Sequence, residues 1–141
     1  MLVSWLLTIA ASLIASITDL KNKTIPIFLF PVTAILAGIW QLYTKNFNVI
    51  LSVCGLAVMA IVYFIASFLG SGGGDIIMMS CIGFILGLQY SLFIALVSTL
   101  VFIPFCIIKK FINKEKEIIV LPYAPFVFFS TTVSFIFYLA L

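Results

Sequence analysis

Residues 76–108 read IIMMSCIGFILGLQYSLFIALVSTLVFIPFCII, 33 positions without a charge. As one helix they would extend about 50 Å, far beyond a hydrocarbon layer of about 30 Å. The run therefore predicts two short helices, broken near Gly87-Leu88-Gln89-Tyr90-Ser91. Gly83 and Gly87 form a G-x-x-x-G, a spacing that permits close helix contact. Pro104 would kink the second helix.

Before this run stand Gly70-Ser71-Gly72-Gly73-Gly74 and Asp75, which break the chain. Phe47–Leu69 precedes them with 23 uncharged residues, enough for a crossing. Lys45 and two Asn mark a turn, and Pro26–Thr44 is another uncharged segment. Pro26 suits the first turn of a helix, where its missing N–H costs nothing. Met1–Thr18 is uncharged and meets Asp19, Lys21 and Lys23. After the run, Lys109–Glu117 is strongly polar and Ile118–Leu141 forms a last span. The expectation is an all-α, polytopic membrane protein with six transmembrane helices, a single domain over residues 1–141.

Composition agrees. Of 141 residues, 65% are hydrophobic and 8% charged, whereas a soluble surface carries about 25–35% charged residues. That excludes an ordinary cytosolic enzyme, a disordered tail and a nucleic-acid binder. Orientation follows from lysine. Lys21, Lys23, Lys109, Lys110, Lys114 and Lys116 fall in loops of one side, and Lys45 alone on the other. The bias places the first side in the cytoplasm and both termini outside. A cleaved signal peptide fits less well, because the N-terminus lacks a basic segment ahead of its apolar run.

The chain has no His. Cys54, Cys81 and Cys106 lie in apolar runs without C-x-x-C spacing, so they read as small packing residues. No metal or other cofactor is expected. Glu115 and Glu117 lie among lysines and read as solvated charges.

Asp19 and Asp75 differ: each stands alone where an apolar span meets a cytoplasmic loop. Ionisable groups at that depth are costly and point to function. Singly, Asp75 reads as a helix N-cap and Asp19 as a partner of Lys21 or Lys23. Together they can share a proton. One carboxylate then takes a proton from water while the other protonates a carbonyl, which is peptide hydrolysis without His, Ser or metal. Gly72, Gly73 and Gly74 would let the backbone approach a substrate closely and adopt positive φ, binding an extended peptide. A phosphate loop would need Lys after the last glycine, where Asp75 stands.

Asp19-Leu20-Lys21-Asn22-Lys23-Thr24-Ile25-Pro26 resembles the D-[LI]-[KR]-x-[KR]-x-I-P segment of type IV prepilin peptidases. Gly72-Gly73-Gly74-Asp75 resembles their G-x-G-D motif, and Pro122-Tyr123-Ala124-Pro125-Phe126 their late P-[FY]-x-P-F element. The order matches the family. The resemblance implies a membrane aspartyl endopeptidase with Asp19 and Asp75 as its catalytic pair. It would remove the short basic leader of prepilins or pseudopilins at the cytoplasmic face. The missing C-x-x-C motifs and the immediate start on a span resemble the short, peptidase-only form. Ile27 replaces the usual Asn after I-P, and Ile77 replaces the usual Lys after the second Asp. Those departures bear on substrate choice and on the charge around the pair. Presenilin-type proteases share G-x-G-D, but Thr18-Asp19 departs from their Y-D pair. A small transporter using both Asp as a proton or cation site, and a non-catalytic pilin-assembly factor, are the readings from other classes.

Overall fold

The structure is a computed structural model that describes residues 1–45, 47–68, 72–112 and 122–140, with the side chains of 109–112 outside the description. Among these residues lie five helices: α1 (Leu2–Asn22), α2 (Leu29–Tyr43), α3 (Val49–Ser67), α4 (Gly73–Ile112) and α5 (Ala124–Ala140). Three stretches, Leu2–Asn22, Val49–Ser67 and Gly73–Ile108, are long and apolar enough to cross a membrane. α2 and α5 are apolar but shorter, at 15 and 17 residues. They begin later than the charge pattern predicts. Pro26 lies outside α2, in a turn whose carbonyl accepts the Leu29 N–H at 3.1 Å.

Where the length of residues 76–108 predicts two helices, the backbone shows one helical element broken at a single residue. Gly87 has φ 80° and ψ 173° while its neighbours stay helical. Positive φ is tolerated there because glycine has no Cβ. The arms double back. Asp75 and Ser98 would stand about 34 Å apart on a straight helix. Instead Ser98 Oγ lies 2.7 Å from the Tyr123 hydroxyl, which lies 2.7 Å from that of Tyr63. Tyr63 belongs to α3, whose Gly55 packs on Gly83 of the first arm, so both arms reach the same helix. Pro104 sits in the second arm, and Gly87 is the one position in α4 with non-helical φ/ψ.

Two glycines let α3 and the first arm of α4 touch backbone to backbone. A Cβ on Gly55 would overlap the Gly83 carbonyl oxygen, and one on Gly83 would overlap the Gly55 carbonyl oxygen. The G-x-x-x-G pair thus divides its work: Gly83 makes the contact and Gly87 makes the break.

The break frees a carbonyl, and α2 answers it. Ile85 O accepts from Gln41 Nε2 at 2.7 Å, and the same amide donates to Ser4 Oγ of α1 at 2.9 Å. Gln41 is buried, so replacing it leaves the carbonyl unpaired in an apolar interior. Gln41→Leu should lower unfolding stability in detergent by about 1–2 kcal/mol. An unchanged thermal midpoint would show that the carbonyl finds another donor.

Two helices turn hydroxyls inward and large apolar side chains outward. On α1, Ser4, Thr8, Ser12, Ser16 and Asp19 are buried, while Leu6, Leu13, Ile17 and Leu20 are exposed. On α5, Ser130, Thr131 and Ser134 are buried while Ile136, Phe137 and Leu139 are exposed. Thr8, Ser12, Ser130, Thr131 and Ser134 bond back to carbonyls of their own helices, as Thr8 does to Ser4 O at 2.8 Å and Ser134 to Ser130 O at 2.7 Å. So satisfied, small side chains let helices approach closely, which is how packing proceeds where the outside is lipid. Trp5 fills the space between α1, α4 and α5, with its ring 5.3 Å from that of Tyr90 and 5.8 Å from that of Phe135.

Candidate active site

α1 carries Asp19 in its last turn. The helix stops at Lys23, whose backbone is left-handed (φ 54°) and whose N–H donates to Asp19 O at 2.9 Å. The chain therefore turns away four residues after the aspartate. Its carboxylate points inward. Asp19 is 6% exposed, and Oδ2 accepts the backbone N–H of Ala124 at 3.1 Å. The expected partners, Lys21 and Lys23, have exposed side chains. The observed partner is a main-chain group at the start of α5, from the Pro122–Phe126 segment.

α4 carries Asp75 in its first turn, after Gly73 and Gly74, rather than at the cap. Its N–H donates to Gly72 O at 3.0 Å. The positive end of the helix dipole lies beside its carboxyl. The glycines differ from the expectation. Among the described residues Gly87 is the glycine with positive φ, so Gly72, Gly73 and Gly74 do not supply left-handed backbone. Gly73 and Gly74 are the first helical residues, and Gly70 and Ser71 lie outside the described residues. The reason is local: with Asp75 in the first turn, the helix starts three residues earlier, at Gly73, than an N-cap role for Asp75 would require.

What Gly74 does supply is room. A Cβ there would stand 3.2 Å from the Cβ of Ile25. Ile25 belongs to the segment that follows Asp19, so the two aspartate-bearing motifs meet at Gly74. Gly73 faces open space. Gly74→Val should thus press on Ile25, shift the turn after α1 and lower activity at least about tenfold. Gly73→Ala should retain activity within about twofold, since alanine suits a first helical turn. Equal activities in the two variants would show that the contact does not matter.

Both aspartates lie at one end of the bundle. Ile25, six residues after Asp19, lies against Gly74, which precedes Asp75, and Asp19 itself reaches Ala124, next to the Tyr123 that bonds to Tyr63 and Ser98. Three segments distant in sequence thus converge. Tyr63 and Ser98 escaped the sequence reading. A lone Tyr near the end of an apolar span reads as an interfacial anchor, and a Ser inside one reads as packing. Ile27 is exposed ahead of α2, and Ile77 is half-buried near the start of α4. Lys114, Lys116, Glu115 and Glu117 lie outside the described residues.

The model of the type IV leader peptidase family matches residues 6–107, well over half of the chain and both aspartates. The chain belongs to the type IV leader peptidase family. Comparison with curated proteins and with solved structures returned no significant match. As a leader peptidase it is a peptidase, and its exposed apolar helices are those of a membrane protein. The match ends before Pro122, so the late segment joins the candidate site on geometry alone, through the Ala124–Asp19 bond.

Proposed function

We propose that this leader peptidase is an aspartyl endopeptidase whose catalytic pair is Asp19 and Asp75. The carrying observation is convergence: the Ala124 N–H on Asp19, and Ile25 against Gly74, draw three separate motifs to one end of the bundle. One carboxylate takes a proton from water, and the resulting nucleophile attacks the scissile carbonyl. The other carboxyl protonates the carbonyl oxygen. Collapse of the tetrahedral adduct breaks the C–N bond, and the departing amine takes the returned proton. No metal or cofactor enters these steps.

The substrate is a prepilin or pseudopilin with a short basic leader ahead of an apolar helix. Lysine distribution supports a cytoplasmic site, with six crossings of the cell membrane, both termini outside and residues 1–141 acting as one unit. Such a site would meet the substrate where its leader leaves the bilayer. Gly72, Gly73 and Gly74 border that place, and their lack of side chains leaves backbone groups open to an extended substrate strand.

The test is cleavage in proteoliposomes of a reporter with a basic leader and an apolar helix, the cut mapped by mass spectrometry. A cut at the junction is expected. A cut inside the apolar helix would move the protein to presenilin-like chemistry. Binding without a cut would make it an assembly factor.

A further inference from the structure

The donor that meets Asp19 is the free end of another helix. Ala124 opens α5, and its N–H is one of the first-turn groups that a helix leaves without a partner of its own. The next residue, Pro125, has no N–H. Those of Phe126 and Val127 turn back to Tyr123 O at 3.0 and 3.3 Å. The Ala124 N–H is thus the donor left over, and Asp19 Oδ2 accepts it at 3.1 Å. The position of the carboxylate follows the position of this peptide.

The peptide is held through the side chain of Tyr123. Its hydroxyl lies 2.7 Å from that of Tyr63 on α3 and 2.7 Å from that of Ser98 on the second arm of α4. Its ring meets Phe102 edge-on, with centroids 5.1 Å apart, and Phe102 also packs on Phe126. Tyr63 and Ser98 are buried, so bulk water does not compete for the two bonds. One side chain ties the start of α5 to two other helices, and the peptide bond that follows it carries the donor for Asp19.

We infer that Tyr123 is a positioning residue: its hydroxyl, held between Tyr63 and Ser98, fixes the Ala124 N–H and through it the Asp19 carboxylate. This rests on the reading of Asp19 as one of the catalytic pair. A carboxylate that exchanges protons with water and a scissile carbonyl must be aimed as well as present, and a displacement of about 1 Å can cost about 100-fold in rate. The ring contact with Phe102 remains when the hydroxyl is removed, so aim is lost before fold.

The experiment measures kcat and KM on the reporter for wild type, Tyr123→Phe, Ser98→Ala, the double variant and Asp19→Asn, beside the NMR signal of the Ala124 amide. Tyr123-Ala124 is the one Tyr-Ala pair in the chain, so tyrosine labelled at its carbonyl carbon with alanine labelled at nitrogen selects that signal. Tyr123→Phe keeps every carbon atom. Ser98→Ala cuts one of the two bonds and leaves the Tyr63–Tyr123 bond in place, so both are expected to fold. Tyr123→Phe should lower kcat about 10-fold with KM changed less than about twofold. Ser98→Ala should cost about threefold, and the double variant no more than Tyr123→Phe alone, because the hydroxyl through which Ser98 acts is already gone. The Ala124 signal should move in Tyr123→Phe toward its position in Asp19→Leu, which lacks the acceptor. A tyrosine that serves packing alone would leave it in place. Wild-type kcat, a loss confined to KM or an unmoved Ala124 signal in Tyr123→Phe, beside an inactive Asp19→Asn, would overturn the positioning role and spare the pair. So would losses that multiply in the double variant. Wild-type cleavage by Asp19→Asn would overturn both.

Discussion

Asp19→Asn and Asp75→Asn should each abolish leader cleavage, leaving less than about a thousandth of the wild-type rate. The carboxamide keeps the shape and cannot exchange the proton that the reaction needs. Stability separates a second pair of variants. In Asp19→Asn the carboxamide would still present an oxygen to the Ala124 N–H, so the turn at α5 should hold and thermal stability should barely move. Asp19→Leu removes that acceptor and leaves a buried N–H unpaired, so it should lose stability as well as activity, by about 1–3 kcal/mol. The measurement is cleavage of the reporter in membranes, beside unfolding of each variant in detergent. Cleavage near the wild-type rate by Asp19→Asn or Asp75→Asn would end the proposed protease mechanism. Loss of activity only through loss of folded protein would make the aspartates structural.

Gly55→Ala and Gly83→Ala should cost more in folding than the same change at any other glycine among the described residues. The added Cβ at Gly55 would overlap the Gly83 carbonyl oxygen and stand 2.9 Å from the Leu88 nitrogen. That at Gly83 would overlap the Gly55 carbonyl oxygen and stand 3.1 Å from Met59 Cγ. Backbone cannot rotate aside as a side chain can, so α3 and α4 must separate. About 3 kcal/mol of destabilisation is expected for each. Gly38→Ala is the control. Its Cβ would meet only the edge of the Phe84 ring at 3.4 Å, and its effect should stay below about 1 kcal/mol. Thermal unfolding in detergent ranks the three. Wild-type midpoints for Gly55→Ala and Gly83→Ala would mean that the two helices do not approach this closely.

The break in α4 was legible because it follows from length: an uncharged run of 33 residues is too long for one crossing and has Gly87 near its middle. That the arms would meet without a loop was not legible. A polar loop announces itself by composition, whereas a break of one residue needs only a dihedral angle. The two aspartates were legible because each stands alone at the end of an apolar span, and α1 and α4 do bring them to one end of the bundle. The positive φ expected of the glycines before Asp75 lies elsewhere, for a physical reason. Glycine runs signal both left-handed backbone and close packing, and here Gly74 serves Ile25 while the positive φ belongs to Gly87. The partner of Asp19 could not be read, because a main-chain N–H has no signature in the side-chain alphabet. Nor could the Tyr63–Tyr123–Ser98 row, whose members come from three segments and acquire meaning only on folding.

The bond between Asp19 and Ala124 spans 105 residues of chain. A ribosome feeding this protein into a membrane releases both aspartates long before it makes residue 124. Through that interval the Asp19 carboxylate lacks the Ala124 N–H that it accepts in the folded protein. The Asp19 carboxylate thus gains its main-chain donor only once residue 124 has been made. A premature stop before α5 would leave an intermediate with both acids and an unassembled site. The order of synthesis thus leaves the closing of the Asp19 end of the bundle to the residues made after α4.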